Sequence, residues 1–260
     1  MAVKGVFSYW WLPVLASVVW LSMLLGMLLH WIINTNSRHY PSMRRGQHIA
    51  FISDIGAQEL KPMFITMCAV CTVLFDLSFA AEMWLRKKGR LAPNKSMGEK
   101  VLMGMTIVFA IVGTAGLILL AIFDTLRHNT LHNIFLLLFI GGYWISAIFI
   151  CAEYQRLGIK YREHRILRIS FWIKLTFILA ELFLVIAFAS TSWTGHRNVA
   201  AVLEWIVALV FTFYVLSYAI DLWPAVRTKD RRQRFVKPRE MEEASPSPAE
   251  RDAEPAASGY

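Results

Sequence analysis

Cysteine is scarce in this chain, and so is any long polar stretch. Three cysteines occur among 260 residues, Cys68, Cys71 and Cys151. All three fall inside apolar runs, which excludes a framework of extracellular disulfides. Cys68 and Cys71 spell C-x-x-C, yet a redox or metal role needs partly exposed thiolates, which apolar surroundings disfavour, so both read as packing residues. Charged residues make up only 17% of the chain, and the longest loop between the early apolar runs, residues 34–62, leaves no room for a separate soluble domain. There is no nucleophile elbow, H-E-x-x-H, phosphate loop or dinucleotide fingerprint. The sequence therefore names no catalytic residue, no cofactor and no metal, and an enzyme is the less favoured reading.

What is present is hydrocarbon. Apolar residues are 57% of the whole, gathered in six runs at Trp10–Ile33, Met63–Leu85, Val101–Phe123, Leu131–Ala152, Ile169–Ser190 and Val199–Trp223. About 20 apolar residues in a helix rising about 1.5 Å each cross a bilayer core, so each run suffices. The first run is too long for a signal peptide and no small-residue cleavage site follows it. The expected fold is all-α, a polytopic membrane protein with a six-helix bundle over residues 1–223 and a disordered cytoplasmic tail over 224–260.

Charge sets the expected orientation. Twenty of the 27 Lys and Arg residues precede the first run, lie at 86–100 or 156–168, or follow Trp223. The positive-inside rule then places both termini and the second and fourth loops in the cytoplasm, and the first, third and fifth loops outside. Most tryptophans fall at run boundaries, where an amphipathic ring is at home, leaving Trp20, Trp144 and Trp205 within. Asn94, Lys95 and Ser96 form a glycosylation sequon in a loop expected to be cytoplasmic, where it stays unmodified. The tail changes composition abruptly. Arg227, Lys229, Arg231, Arg232, Arg234, Lys237 and Arg239 form a basic half suited to anionic lipid at the inner leaflet, and an acidic half follows.

Polar residues inside the runs are costly and mark bundle interiors. Asp76 and Glu82 descend the second run, and Lys174 and Glu181 share a face of the fifth. Lys174 is expected to pair with Asp76 or Glu82. On the outer side Ser53, Asp54 and Gly56 lie in the first loop, Gly56 supplying a tight bend that Ser53 or Asp54 closes. Asp124, His128 and His132 surround the third loop at helical spacing, which the turn between them breaks, and Glu204 and Trp205 open the sixth run. Gly104, Gly113, Gly116, Gly141 and Gly142 read as sites of close helix approach.

The stretch FISDIGAQELKPMF, with its I-S-D-x-G and the following Pro62, together with Asp124, His132 and Glu204-Trp205 in that order, resembles the Frag/DRAM/Sfk family of six-span membrane proteins, which includes the N-terminal domain of the Cwh-type proteins. The resemblance covers Trp10 to Trp223 and is strongest toward the fungal Sfk type. It implies a non-enzymatic plasma-membrane protein that organises lipids, through phosphoinositide kinase recruitment or transbilayer lipid asymmetry. The implied partners are membrane lipids and a lipid kinase complex, with no nucleic acid. Other branches imply remodelling of glycosylphosphatidylinositol anchors, with Asp124, His132 and Glu204 as acid–base groups, or autophagy at the lysosome or vacuole. An ion pathway along Asp76, Lys174 and Glu181 is the remaining alternative.

Overall fold

The computed structural model describes residues 8–228, and all regular structure among them is helical. Helix α1 (Trp11–Leu29) runs on through one π-helical turn, His30–Asn34, and is followed by the short α2 (Ile52–Gly56). Five long helices complete the bundle: α3 (Lys61–Lys87), α4 (Met97–Ile122), α5 (Asn129–Lys160), α6 (Arg165–Trp193) and α7 (Arg197–Leu222), with a single turn, α8 (Pro224–Arg227), at the end. Six helices, α1 and α3 to α7, are long and apolar enough to cross a membrane.

The helices overrun the apolar runs. Helix α5 reaches Lys160 rather than Ala152 because its last turns are amphipathic, with Glu153, Tyr154 and Leu157 all buried; hydropathy stops at the first charge, whereas a packed face carries the helix onward. The same applies past Trp223, where Ala225 is buried and Thr228 donates to the Arg90 carbonyl at 2.6 Å. The packed unit thus extends five residues beyond its expected end. Of the expected basic tail, Lys229, Arg231, Arg232, Arg234, Lys237 and Arg239 lie outside the described residues, as does the side chain of Arg227.

Neighbours in sequence are neighbours in space. Helix α3 packs on α1 and α4, α4 on α5, α5 on α6, α6 on α7, and α7 returns to α1, closing a ring. Pro62 is the second residue of helix α3, in the first turn, where its missing N–H has no helical partner to lose. Helix α4 starts with a capping box, the Ser96 N–H donating to Glu99 Oε2 at 3.1 Å.

The closest pairing, α4 on α5, is made by glycine. A Cβ at Gly142 would sit 2.5 Å from the Gly113 nitrogen, and one at Gly116 2.5 Å from the Phe139 nitrogen, so the two backbones touch. Gly104 and Gly141 do not share this role, since a Cβ at either meets nothing within 4 Å. Their positions lie on faces of α4 and α5 turned away from the contact.

The three tryptophans within the spans each place their indole N–H on a carbonyl: Trp20 on Ala208 at 2.9 Å, Trp144 on Ile178 at 3.3 Å and Trp205 on Ala50 at 3.0 Å. Buried donors are thereby satisfied where water is absent.

Candidate functional site: a roofed cavity and a buried ion network

The first loop folds down over one end of the bundle and is fastened to α7. Asn198 Oδ1 accepts the His48 and Ile49 N–H groups at 2.7 and 3.0 Å, and its Nδ2 donates to the Gly46 carbonyl at 3.1 Å. One to two turns deeper, Glu204 Oε2 accepts the Ile52 N–H at 2.7 Å while Trp205 holds Ala50. Asp54 closes the α2 turn by accepting the Phe51 N–H at 3.0 Å, and Gln47 Nε2 donates to the same carboxylate at 2.9 Å. Gly56 serves differently from expectation. It is helical, and a Cβ there would lie 2.7 Å from the Phe64 ring, so glycine provides close approach of α2 to α3 rather than a bend.

Beneath this roof lies a cavity of about 120 Å³. Its walls are almost wholly apolar and come from α5, α6 and α7 with Leu117 and Leu120 of α4, and with Ile52, Ser53, Trp20 and Phe64 completing it. His132, Glu181 and Glu204 line it, whereas Asp124 does not. Along the cavity α6 is only partly covered, although Phe188 further on packs against the Phe51 ring. The buried stripe of α6 is Leu167, Ser170, Lys174 and Ile178 and goes no further, leaving Phe183 69% exposed.

Asp124 and the two third-loop histidines part company at the turn. Asp124 Oδ1 accepts the Leu126 and Arg127 N–H groups at 3.1 and 2.7 Å, and Oδ2 meets Lys61 at 2.5 Å and the Arg127 guanidinium at 2.9 Å. Burial opposes ionisation of this carboxyl, but the bonds from Lys61 and Arg127 outweigh it and bring its pKa down to about 2. His132 Nδ1 lies 3.2 and 3.1 Å from the carbonyls of Leu120 and Phe123, so it carries a proton and satisfies the end of α4. His128 is exposed, its ring against Phe123. Among the described residues no three His, Cys, Asp or Glu side chains are grouped to hold a metal ion.

A second polar cluster is buried at the opposite end, on the side of Trp10, Leu222 and Ala225. Glu82 Oε1 accepts from Arg86 Nη2 at 2.6 Å and from the Tyr154 hydroxyl at 2.6 Å. Arg86 also faces Glu153 at 3.4 Å and donates to the Ala92 carbonyl at 2.9 Å, and Asn94 Nδ2 donates to Glu153 at 2.8 Å. The sequon asparagine is thus part of this network. Lys174 does not pair with Asp76 or Glu82. It pairs with Asp221 of α7, with Ser170 bonded to both and the ammonium 4.2 Å from the Tyr218 ring centre. Adjacent helices decide the matter: α6 packs on α7, and Arg86, one turn below Glu82, already holds that carboxylate. Asp76 instead accepts from Thr114 at 2.7 Å, and Thr114 bonds the Tyr143 hydroxyl.

Lys61, Gln47, Asn198, Glu153 and Asp221 were not singled out by sequence reading. Glu153 and Asp221 sit within two residues of run ends, where a charge is ordinarily solvated, and only the helix overrun buries them. Asn198 and Gln47 are single polar residues in polar surroundings and carry no pattern.

Part of the motif on which the family resemblance rests interlocks here, Ile52 of I-S-D-x-G against Glu204 and Ala50, just ahead of the motif, against Trp205. A family model described as the Frag1/DRAM/Sfk1/Cwh43P N-terminal domain matches residues 8–225. The chain belongs to this family. Within the Frag1 family it is similar to Protein sfk1 of Schizosaccharomyces pombe, 30% identical over 179 residues, covering 68% of this chain and 53% of that one. It is similar also to Protein SFK1 of Saccharomyces cerevisiae, 28% identical over 177 residues, covering 57% of this chain and 50% of that one. This Frag1-family chain therefore spans about half the length of the curated relatives it matches. No solved structure matches it significantly.

Proposed function

We propose that this multi-pass membrane protein is a non-enzymatic organiser of plasma-membrane lipids, with both termini in the cytoplasm and the roofed cavity facing the outer leaflet. The observation that carries the reading is the cavity itself. It is apolar, it is walled on one side by a helix whose outer half is unburied, and it is covered by a loop fastened to α7. A space of that character among bilayer helices suits lipid. The family resemblance to Sfk proteins supports the compartment, the lysine and arginine distribution supports the orientation, and the basic tail suits contact with anionic lipid or a lipid kinase complex.

The lipid-anchor remodelling reading asks Asp124, His132 and Glu204 to act together. Asp124 spends its oxygens on Lys61 and the third loop, and His132 spends Nδ1 on carbonyls, so the geometry favours the organiser. The test is a cell lacking the protein, scored for outer-leaflet aminophospholipid and for cortical lipid kinase, then complemented. Wild type should restore both and Trp205→Ala, which unfastens the roof, should restore neither at equal surface abundance. Full restoration by a chain with Asn198, Glu204 and Trp205 all replaced by alanine would overturn the proposal.

A further inference from the structure

The ion network at the end opposite the roof buries one carboxyl more than its cations match. Glu82, Glu99, Glu153 and Asp221 are each 5% exposed or less, and the cations that meet them are Arg86, Lys160 and Lys174. Lys160 holds Glu99 and Lys174 holds Asp221, so Glu82 and Glu153 are left with one guanidinium between them. Arg86 reaches both, and the two carboxyls stand close enough to repel, with Glu99 adding to the repulsion on Glu153. Other cations nearby are occupied or turned away: Arg90 donates to the Ala225 carbonyl, and exposed Arg156 lies over Gly98 at the start of α4. A buried charge without a partner is strongly unfavourable, so one further positive charge belongs in this cluster.

Hydrogen bonding says which carboxyl takes it. Glu82 Oε1 accepts from Arg86 Nη2 at 2.6 Å, from Arg86 Nε at 3.2 Å and from the Tyr154 hydroxyl at 2.6 Å. Glu153 accepts from the neutral Asn94 amide at 2.8 Å, and Arg86 Nε stands off at 3.4 Å. Each carboxyl has its Oε2 buried with no hydrogen-bond partner, but the short charged bonds all go to Glu82, which keeps that one ionised. A metal ion suits the place poorly. Among the described residues no three His, Cys, Asp or Glu side chains are grouped to hold one, and the cavity beside Arg86, Tyr154 and Asp221 has about 10 Å³, the space of a single water. A proton needs no space.

We propose that Glu153 is a proton-binding site that exchanges its proton through the loop at residues 88–96 and sets how firmly that loop is held. In the loaded state the O–H bond is on Oε2, which no donor approaches, and Oε1 keeps its bond from Asn94. Release breaks that O–H bond, passes the proton to water at the half-buried Asn94, and leaves a second buried carboxylate drawing on Arg86. Arg86 is also the donor to the Ala92 carbonyl, at 2.9 Å, so a shift of the guanidinium toward Glu153 loosens the loop. With the orientation proposed above, the proton comes from the cytoplasm. The cluster lies apart from the roofed cavity, and the proposal goes beyond the organiser reading.

The test uses the full chain in nanodiscs and the infrared band of protonated carboxyls, compared between wild type and Glu153→Gln. The difference should show one protonated carboxyl in wild type at mildly acid pH, and the band should fade as the pH is made alkaline. Protection from hydrogen exchange across 88–96 should fall about tenfold as it fades. Glutamine reproduces the protonated form, so Glu153→Gln should fold, lack the band and keep the loop protected at every pH. Glu82→Gln leaves Arg86 to Glu153 alone and should abolish the same band with Glu153 in place. Carboxyls elsewhere cancel in these differences. An unchanged spectrum in Glu153→Gln overturns the proposal because Glu153 then held no proton, and a Glu153→Gln chain that does not fold overturns it because the charge was then needed. A band that persists at alkaline pH overturns the exchange, and one that appears only when sodium and potassium are removed gives the place to a metal cation instead.

Discussion

At the scale of single residues, electrostatics outside the apolar slab is measurable by pH. Asp124 is ionised in the folded chain down to about 2 because Lys61 and Arg127 hold it against the cost of burial. A depressed carboxyl pKa stabilises the fold fully above the unfolded value near 4 and loses that contribution as pH falls toward the folded one. Thermal unfolding in detergent between pH 5 and 2 should therefore drop more steeply for wild type than for Asp124→Asn, with a difference at pH 5 of about 1–2 kcal/mol after discounting for the exposed Arg127. Within the slab the sharper test is Lys174. Removing it strands Asp221 in a fully buried site, so Lys174→Met should cost about 3–5 kcal/mol, while Lys174→Met combined with Asp221→Leu should recover most of the loss. A chemical-denaturation series on the four members of that cycle measures both.

Residue by residue, the sequence told what was expensive but not who would meet whom. Lys174 was legible as a buried cation, because a lysine in an apolar run has few alternatives. Its partner was not, because Asp221 stands beside a run end and looks solvated. Depth alone admits several carboxylates, and the choice is made by the ring order of the helices, which no single run encodes. Asp54, Glu204 and Trp205 were legible as a set, and the hydrogen bonds from Ile52 and to Ala50 explain why they occur together.

At the scale of elements, two glycines one residue apart make opposite predictions. Gly142 meets the Gly113 backbone and Gly141 meets nothing. Gly142→Ala should push α5 off α4 at a cost of about 1–3 kcal/mol, as overpacking does, whereas Gly141→Ala should be neutral or stabilise by up to about 1 kcal/mol through helix propensity. Melting temperatures of the two variants in one detergent decide it, and equal effects would refute the contact. The contrast was invisible in sequence, where the five glycines of the third and fourth apolar runs looked alike, since which face of a nearly all-apolar helix turns inward is set by its neighbours. The loop makes a matching case. Three hydrogen bonds tie residues 46–49 to Asn198, each worth about 0.5–1.5 kcal/mol, so Asn198→Ala should raise hydrogen exchange across 46–52 while α4 and α5 stay protected.

For the whole molecule, the bundle has two unlike ends, and their chemistry argues for the way it sits in a membrane. One end is roofed by an ordered loop held on α7. The other gathers Lys87, Lys88, Lys100, Lys160 and Arg168 near loops that cross-brace one another, Lys160 on Glu99 at 2.9 Å. Lysine and arginine are denser at this end than at the roofed one, which carries Arg38, Arg44, Arg45, Lys61, Arg127 and Arg197, and the positive-inside bias favours the denser end in the cytoplasm. Cysteine reporters turn this into a measurement, because Cys68, Cys71 and Cys151 are buried and give little background. In intact cells His39→Cys, at an exposed position of the roofed end, should react with a membrane-impermeant maleimide, and Lys88→Cys, exposed at the basic end, should react only after permeabilisation. The reverse pattern would put the sequon at Asn94 outside and the cavity under the inner leaflet, which would overturn the orientation on which the organiser reading rests.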